Sequence, residues 1–557
     1  MKKTGAQIIV ELLERQGIRT VAGIPGGATL PLYDALAESN IRHVLTRHEQ
    51  GAGFMAQGMA RVTGKAAVCF GTSGPGATNL LTAIADARLD SIPMVAITGQ
   101  VPSSMIGTDA FQEVDTYGLT LPITKHNFLV RSTEELLKVI PLAFEIAESG
   151  RPGPVVVDIP KDVQTREIEF EAWPEPGRPA APIAPDAGTM ARMAQMIREA
   201  KRPVLYIGGG ITASGCCAEL RELARKNAIP VACTLMGLGT MATDDPLNLG
   251  MLGMHGSRGT NYALEETDLL IAMGVRFDDR ATGKLEEFCP QAAIIHVDID
   301  KSEIDKLRPS NLAVAADAAL VMRQLLALVE GNERTDWMKR IAHLRALHPE
   351  DGRTPEDIRH PLGLIRAVAE TLDPDTVVAT DVGQHQMWVA QSYPFRAPRT
   401  LLTSGGLGTM GFGMPAAIGA ALAQPGKRVV CFSGDGSILM NIQELATLAD
   451  LGLPVTVIIL NNGHLGLVRQ QQELFYGNRI TASKFATTPD FAALARAFGL
   501  RGMNLAHADD PQTALADALT GEGPCIVDMP IDYAENVYPM VPPGAANRDM
   551  IGGEANA

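Results

Sequence analysis

Short apolar runs alternate with longer amphipathic segments along most of the chain. In the first third, runs that predict strands lie at residues 20–23, 43–46, 66–71, 94–98 and 154–158. The segments between them carry apolar residues at helical spacing, as residues 6–13 do near the N-terminus. Buried strands that alternate with helices are typical of a parallel sheet covered on both faces. The pattern therefore predicts an α/β fold with doubly wound parallel sheets.

Two polar stretches interrupt this alternation, one rich in Pro and Ala at residues 173–185 and one at 347–360. Further apolar runs follow each of them, at 203–207, 269–274, 294–299, 377–380, 429–433, 455–460 and 525–529. We therefore predict three domains and a tail, with bounds 1–172, 186–345, 360–535 and 536–557.

Size and charge narrow the class of protein. The chain has 557 residues, whereas one domain commonly has about 150. A net charge of −15 argues against a nucleic-acid surface, which needs clustered Lys and Arg. The seven cysteines lie mostly in apolar runs without paired CxxC spacing, so we expect reduced core residues rather than disulfides or structural zinc.

The N-terminus does not have the pattern of a signal peptide. Gln7 and Glu11 interrupt its apolar positions, and the chain has no run of eighteen or more apolar residues. We therefore expect a cytoplasmic protein without membrane contact.

A candidate metal and phosphate site follows two of the predicted strands. Gly434-Asp435-Gly436 ends the strand at 429–433, a helix is predicted at 441–451, and Asn461-Asn462 ends the next strand. A right-handed crossover of this kind places Asp435 and Asn462 at neighbouring carboxyl ends of a parallel sheet, where ligands bind. Mg²⁺ prefers such oxygen ligands together with phosphate oxygens. Taken alone, the tripeptide is also compatible with an ordinary tight turn.

This pattern resembles the thiamine-diphosphate binding motif. From about residue 4 to about residue 550, the chain is similar to the catalytic subunits of the acetohydroxyacid (acetolactate) synthases, and it most resembles the enterobacterial isozyme I type. The resemblance implies thiamine diphosphate and Mg²⁺ as cofactors, with the main-chain oxygen of His464 as a third protein ligand of the metal. It assigns the pyrimidine half of the cofactor to the N-terminal domain, FAD to the central domain, and diphosphate and Mg²⁺ to the C-terminal domain.

The resemblance also gives Glu49 a role. From the residues alone, a Glu that opens a helix is usually a capping or surface residue. In the family, one Glu at the matching position hydrogen-bonds the aminopyrimidine ring and so activates the cofactor. This Glu and the metal-binding Asp come from different subunits in the family, which implies a homodimer or a tetramer.

Other positions near the reacting atoms follow by the same resemblance. Gly26 matches a backbone donor, Phe111 and Gln112 match residues that flank the thiazolium and the substrate, and Lys161 matches a channel lysine. Residues 73–79 look like a helix N-terminus that lines the cofactor cleft. Without the resemblance, the glycine run at 23–27 predicts only a turn, and Lys161 is a solvated loop charge.

Two segments of the third domain resemble those that hold the pyrimidine half of the cofactor. Met410 matches the residue that wedges the two cofactor rings into a bent conformer, although a Met in an apolar stretch is more often core. The thiamine-diphosphate residues implied in this domain are Val382, Gly383, Gln384, His385, Gly408, Met410, Gly434, Gly436 and Ser437.

Several segments of the central domain resemble the flavin-binding stretches of the family. By itself, the glycine run at 208–210 after a strand is a weak nucleotide signal. FAD does no net redox work in the implied reaction, so its role there is structural. The implied FAD residues are Arg151, Gly208, Gly209, Gly210, Thr234, Leu235, Met254, His255, Gly274, Arg276, Asp279, Asp298, Ile299 and Asp317.

Three residues are candidates for contact with substrate. The Arg280 guanidinium is suited to a substrate carboxylate, with a salt bridge to Asp278 or Glu286 as the alternative. Leu467 and Gln471 match the pocket for the second ketoacid. Most of the family has Trp at the position of Gln471, so this chain lacks a large apolar surface there. We therefore expect little preference for 2-ketobutyrate over pyruvate and weak binding of sulfonylurea-type inhibitors.

The resemblance implies an enzyme that condenses two 2-ketoacids with loss of CO₂, in the first common step of branched-chain amino-acid biosynthesis. It also implies a small regulatory subunit. One alternative is a flavin-dependent pyruvate oxidase of the same architecture. Another is a non-catalytic module, against which Glu49, Asp435 and Asn462 argue.

Overall fold

Three six-stranded parallel sheets form the framework of the molecule. The structure is a computed structural model that describes residues 1–349 and 355–552. Five residues of the second predicted linker and five of the predicted tail therefore lie outside the described residues. Each sheet is flanked by helices, which confirms the predicted α/β class with doubly wound sheets.

The N-terminal sheet has the strand order β3-β2-β4-β5-β7-β6, and β1 pairs with β8 in a separate antiparallel ribbon. The strands are β1 (Lys2–Thr4), β2 (Thr20–Gly23), β3 (Arg42–Leu45), β4 (Ala67–Gly71), β5 (Met94–Gln100), β6 (His126–Leu129), β7 (Pro154–Pro160) and β8 (Glu167–Glu169). The helices are α1 (Gly5–Arg15), α2 (Leu30–Ala37), α3 (Glu49–Thr63), α4 (Pro75–Asp90), α5 (Thr116–Thr120), α6 (Leu136–Glu148) and α7 (Lys161–Thr165).

The central sheet has the order β11-β10-β9-β12-β13-β14. Its strands are β9 (Pro203–Ile207), β10 (Val231–Cys233), β11 (Asn248–Met251), β12 (Leu269–Met273), β13 (Ala293–Asp298) and β14 (Leu312–Ala315). The helices are α8 (Ala187–Glu199), α9 (Gly209–Ser214), α10 (Cys217–Lys226), α11 (Arg258–Glu266), α12 (Asp279–Thr282), α13 (Ala318–Leu328) and α14 (Thr335–Leu347).

The C-terminal sheet has the order β16-β15-β17-β18-β20-β19. Its strands are β15 (Val377–Thr380), β16 (Leu401–Leu402), β17 (Val429–Gly434), β18 (Val455–Asn461), β19 (Arg501–Asn504) and β20 (Cys525–Pro530). The helices are α15 (Pro361–Thr371), α16 (Gln384–Ser392), α17 (Gly413–Ala423), α18 (Asp435–Ile438), α19 (Glu444–Leu451), α20 (Gly466–Phe475), α21 (Phe491–Ala497) and α22 (Pro511–Thr520).

Helices α3 and α17 join the N-terminal and C-terminal domains through one continuous core. Their backbones touch at two glycines. A Cβ at Gly58 would lie 2.1 Å from the Ala416 carbonyl oxygen, and one at Gly419 would lie 2.0 Å from that of Met55. Because only glycine permits this approach, α3 lies buried between the two sheets along nearly its whole length. Glu49 is its first residue, so this packing also places the candidate activating carboxylate.

The last described segment packs back onto the central domain. Val541 donates its N–H to the Met254 carbonyl oxygen, and Ala546 forms a bridge with Gly283. All seven cysteines are buried and unpaired, in keeping with their apolar sequence context. Over residues 1–349 and 355–552, no helix is both long enough and apolar enough to cross a bilayer.

Candidate functional site

The crossover from β17 to β18 places the candidate metal and phosphate site at one edge of the C-terminal sheet. We call residues 434–436 and 461–462 of this site the clamp. The two strands pair in parallel, with Gly434 opposite Leu460. Asp435 therefore follows the end of one strand, and Asn462 follows the end of its neighbour. Both lie at the carboxyl edge of the sheet, as the sequence predicts.

The surroundings of Asp435 suit a carboxylate that binds a cation. Asp435 is 1% exposed, and Oδ2 has no hydrogen-bond partner among the described residues. Burial raises the pKa of this carboxyl to about 6, although the main-chain N–H groups of Gly463 and Asn462 act in the opposite direction. A buried carboxylate oxygen without a partner is costly unless a cation satisfies it. The residues present therefore fit a bound Mg²⁺.

The loop after β18 holds the second candidate ligand in place. Oδ1 of Asn462 accepts a hydrogen bond of 3.0 Å from the main-chain N–H of His464, and its Nδ2 donates to Oε1 of Gln384 at 3.2 Å. The His464 ring stacks on Tyr533 with ring centres 5.2 Å apart. Gln384 also donates to Gln470, so Asn462 belongs to a polar network that fixes its amide.

The segments proposed to hold the cofactor meet beside this clamp. Ser437 donates a hydrogen bond of 2.6 Å to the Val382 carbonyl oxygen. Gly434 lies against the His385 ring, since a Cβ there would come within 3.0 Å of Nδ1. Burial lowers the pKa of His385 to about 3, and within residues 1–349 and 355–552 its Nε2 has no hydrogen-bond partner. His385 is thus a neutral ring with one ring nitrogen available to a ligand.

The loop that carries Met410 is held by a buried aspartate of the same domain. Asp381 Oδ1 accepts the N–H groups of Val382, at 3.0 Å, and of Gly411, at 2.7 Å. Burial raises the pKa of Asp381 to about 6. Gly383, Gly408 and Gly411 have φ values of 151°, 68° and 91°, which favour glycine.

Glu49 is 7% exposed and begins α3, directly after β3. Asn79 on α4 donates a hydrogen bond of 2.9 Å to its Oε2. The other carboxylate oxygen lies beside Gly76, where a Cβ would come within 3.4 Å. Glu49 is therefore neither a solvated surface residue nor a helix cap, since His48 is the residue that caps α3.

The other site residues predicted in the N-terminal domain are more exposed to solvent than Glu49. Phe111 is 88% exposed, and Gln112 adopts a φ of 60° against Gly74. Lys161 is partly exposed at the start of α7. The N–H of Gly26 donates to Thr29 Oγ1 at 3.1 Å, so within this chain the predicted backbone donor already has a partner.

A cavity of about 880 Å³ lies where the three domains meet. All of the residues predicted to bind FAD line it, from Arg151 to Asp317. Gly208 and Gly210 pack against the Gly274 turn, and a Cβ at Gly210 would lie 2.6 Å from the Gly274 Cα. The two turns therefore pack backbone against backbone at this part of the wall, and the volume suits a large organic cofactor.

The same cavity extends to the predicted substrate residues. Arg280, Leu467 and Gln471 all line it, as does Gly408, which was predicted to bind thiamine diphosphate. The ion pair that Arg280 makes is with Asp279, at 3.9 Å, rather than with the predicted Asp278 or Glu286. Because both partners of this pair are largely exposed, the guanidinium remains available for a carboxylate ligand.

Charged residues form part of the cavity wall. Arg151 pairs with Glu303 at 2.7 Å and with Asp300 at 3.2 Å. Burial raises the pKa of Asp298 to about 6 and lowers that of His255 to about 4. A carboxylate oxygen accepts hydrogen bonds, and a neutral histidine has one ring nitrogen that donates and one that accepts, so both suit the polar edge of a ligand.

Several residues that shape the site were missed from the sequence. Arg61 and Asp90 form a buried ion pair of 2.7 Å, and Asp90 accepts the N–H groups of Gly405 and Gly406 in the loop before Met410. Their positions in α3 and α4 have the pattern of ordinary helix charges. Only the contact between the two domains reveals their role.

Three family models for thiamine pyrophosphate enzymes match the chain. The N-terminal TPP-binding domain matches residues 3–119, the central domain 190–325, and the C-terminal TPP-binding domain 381–529. The acetolactate synthase isozyme 1 large subunit of Escherichia coli is 56% identical over 99% of this chain and 98% of its own length. The chain belongs to the acetolactate synthase large-subunit family.

Other acetolactate synthases are similar along the whole chain. The isozyme 2 large subunit of Escherichia coli is 48% identical over 98% of this chain and 99% of its own length. The chloroplastic acetolactate synthase 1 of Nicotiana tabacum is 44% identical over 99% of this chain and 85% of its own length. These relatives confirm the predicted family and enzyme class, and the pyruvate oxidase alternative is not favoured. The domain bounds and the roles of individual residues stay predictions.

Proposed function

We propose that the protein condenses two molecules of pyruvate, or pyruvate and 2-ketobutyrate, with loss of CO₂, to acetolactate or acetohydroxybutyrate. This is the first common step of branched-chain amino-acid biosynthesis. The observation that carries the proposal is the similarity to acetolactate synthases along 99% of the chain. The buried Asp435 with its unpartnered oxygen and the buried Glu49 agree with it.

In this proposal, Asp435, Asn462 and the main-chain oxygen of His464 would hold Mg²⁺ beside the diphosphate site. Thiamine diphosphate, when bound, supplies the carbanion chemistry that decarboxylates one ketoacid and joins the remainder to a second. Gly434 and Gly436 let the backbone approach the phosphates. A Cβ at Gly436 would lie 2.8 Å from Leu465, so this part of the cradle accommodates no side chain.

Glu49 would hold a proton in a hydrogen bond to the aminopyrimidine ring. Asn79 fixes its Oε2, so the carboxylate has a set orientation before the cofactor arrives. The apolar surroundings of α3 exclude water, which strengthens this hydrogen bond and protects the reacting carbon from protons.

FAD would occupy the cavity between the three domains, with its phosphates near the glycine turns at 208–210. Arg280, on the same wall, would hold the carboxylate of the second ketoacid through bidentate hydrogen bonds. Replacement Arg276→Ala should weaken FAD binding, measured by quenching of flavin fluorescence, whereas Arg323→Ala at an exposed position of α13 should not. Equal FAD affinity in both variants would contradict this placement.

Assembly into a homodimer or a tetramer would complete the site. Within residues 103–121, six large apolar side chains are exposed, among them Phe111 at 88%. A concentration of exposed apolar side chains in one segment is typical of a protein interface. The relatives named large subunit suggest an additional small regulatory subunit.

Product analysis tests the function directly. The purified protein is incubated with pyruvate, thiamine diphosphate, Mg²⁺ and FAD, and the product is identified as acetolactate, acetate or acetaldehyde. Acetolactate is the expected product. Acetate formed with consumption of oxygen or quinone would instead indicate an oxidase.

A further inference from the structure

The residues that lead into Glu49 are held by a carboxylate from the C-terminal domain. Glu444 is the first residue of α19, and its side chain is completely buried. Its Oε1 accepts the main-chain N–H groups of Arg47, at 3.0 Å, and of His48, at 2.9 Å. These are the two residues immediately before Glu49, so the carboxylate fixes the point at which α3 begins.

The first turn of α3 is shaped around this carboxylate. A Cβ at Gly51 would lie 2.6 Å from Glu444 Oε1, so the helix approaches as closely as a glycine allows. A further hydrogen bond joins this turn to the residues just before α19, because Asn441 Nδ2 donates to Gln50 Oε1 at 3.2 Å. Three hydrogen bonds therefore cross between the domains within two residues of Glu49.

Glu444 is itself held rigidly. Its Oε2 accepts a hydrogen bond of 2.6 Å from Thr447 Oγ1, on the same helix. Removal of the carboxylate would leave two part-buried main-chain N–H groups without this acceptor, which costs more than the loss of an exposed contact. The segment 435–444 begins with the predicted metal ligand Asp435. The hydrogen bonds of Glu444 therefore connect the predicted metal site of the C-terminal domain to the segment that carries Glu49.

We propose that Glu444 is a positioning residue that sets the place of the Glu49 carboxylate by holding the main chain of Arg47 and His48. This inference rests on the proposed function, since it concerns how Glu49 is presented to the cofactor. Glu444 acts only through the backbone of its neighbours in space and does not touch the reacting atoms.

The matched control lies on the same helix. Asp450 forms an ion pair of 2.6 Å with the Arg47 side chain at the protein surface. Asp450→Asn removes a contact to the same residue without affecting its main-chain N–H. Glu444→Gln keeps an oxygen that can accept the hydrogen bonds from the N–H groups of Arg47 and His48. Glu444→Ala removes this oxygen, and Glu444→Asp moves it away because the side chain is shorter by one methylene.

Amide hydrogen exchange of the cofactor-free protein tests the contact. In Glu444→Ala and Glu444→Asp, exchange in peptides that cover residues 42–52 should accelerate by about tenfold or more. Glu444→Gln and Asp450→Asn should exchange like the wild type there, and peptides from β20 should not change in any variant. Should Glu444→Ala fail to fold, Glu444→Asp still carries the test. Unchanged exchange in both would overturn the proposal.

The second measurement is the rate of proton exchange at the reactive carbon of bound thiamine diphosphate, per occupied site. It should fall by about tenfold or more in Glu444→Asp, with cofactor affinity within about threefold of wild type, and recover in Glu444→Gln. A rate per site that stays at the wild-type value would refute the positioning role. Failure of the wild type to form acetolactate would refute the proposed function alone, since the exchange of residues 42–52 does not depend on it.

Discussion

Asn79 Nδ2 on α4 lies 2.9 Å from Oε2 of Glu49, the first residue of α3. Helix α3 follows β3 and α4 follows β4, the two strands on either side of β2, so the bond crosses the carboxyl edge of the sheet at which a ligand would bind. A carboxylate that already has one oxygen engaged is oriented, and its other oxygen, Oε1, faces Gly76.

Replacement Glu49→Gln should abolish acetolactate formation and leave cofactor binding largely intact. The amide keeps the size of the side chain but cannot hold the proton that activates the aminopyrimidine. Turnover and thiamine-diphosphate affinity are measured side by side, with the exposed Glu38→Gln as the control. Asn79→Ala should give an intermediate rate, because the carboxylate remains but loses its orientation. Wild-type activity in Glu49→Gln would refute the assignment.

Replacement Asp435→Asn should lower the apparent affinity for thiamine diphosphate by about tenfold or more at a fixed Mg²⁺ concentration. The amide carries no charge to balance the cation. Titration of the cofactor at several Mg²⁺ concentrations measures the effect, with Asp373→Asn on the exposed turn after α15 as the control. A variant with the Mg²⁺ dependence of the wild type would show that the metal binds elsewhere.

Gln471 lines the cavity, and we expect the wild type to show little preference between the two ketoacids. Gln471→Trp should shift the product ratio toward acetohydroxybutyrate by about tenfold, because the ring offers apolar surface to the extra methylene. A competition assay with both ketoacids gives the ratio. Val468→Trp adds the same ring at an exposed position of α20 and should leave the ratio unchanged. Strong selectivity of the wild type for 2-ketobutyrate would contradict the expectation.

Asp158, at the end of β7, should make stability depend on pH. Burial raises its pKa to about 7 from the ordinary value of 3.8, although Thr98 and Gln100 donate hydrogen bonds to it. The folded chain thus keeps a proton that the unfolded chain has already lost, so the contribution of Asp158 to stability falls as pH rises from about 4 to about 7.

Replacement Asp158→Asn removes this titration. The free energy of unfolding of the variant, relative to wild type, should therefore rise across that window by on the order of 1 kcal/mol per pH unit. Thermal unfolding at about pH 5 and about pH 8 compares the two proteins, with the exposed Asp34→Asn as the control. Parallel pH dependence in wild type and Asp158→Asn would show that this carboxyl titrates normally.

The sequence predicted the central strands of all three sheets closely, because strands buried on both faces are short continuous apolar runs. The strand 203–207 is observed as Pro203–Ile207, and 377–380 as Val377–Thr380. Several other strands were missed. Most of them, such as β6 and β19, lie at sheet edges and carry polar residues, since one side of an edge strand is open.

Motifs likewise predicted the parts of the site that are local in sequence, such as the clamp at 434–436 and the glycine turn at 208–210. Contacts between domains gave no such signal. Glu444 and Asp90 have the sequence pattern of ordinary helix residues, and their partners lie hundreds of residues away. A buried carboxylate at a domain boundary is recognised only once the fold brings its donors to it.

The glycine-mediated contact between α3 and α17 limits how synthases of this family can be recombined. A Cβ built at Gly58 or at Gly419 would lie about 2 Å from the backbone of the opposite helix. Neither helix therefore tolerates a partner of different shape. A hybrid that takes residues 1–172 from one parent and 360–535 from another would combine α3 of one parent with α17 of the other. Crossover points that keep α3 and α17 from the same parent should yield folded hybrids more often than points that separate them.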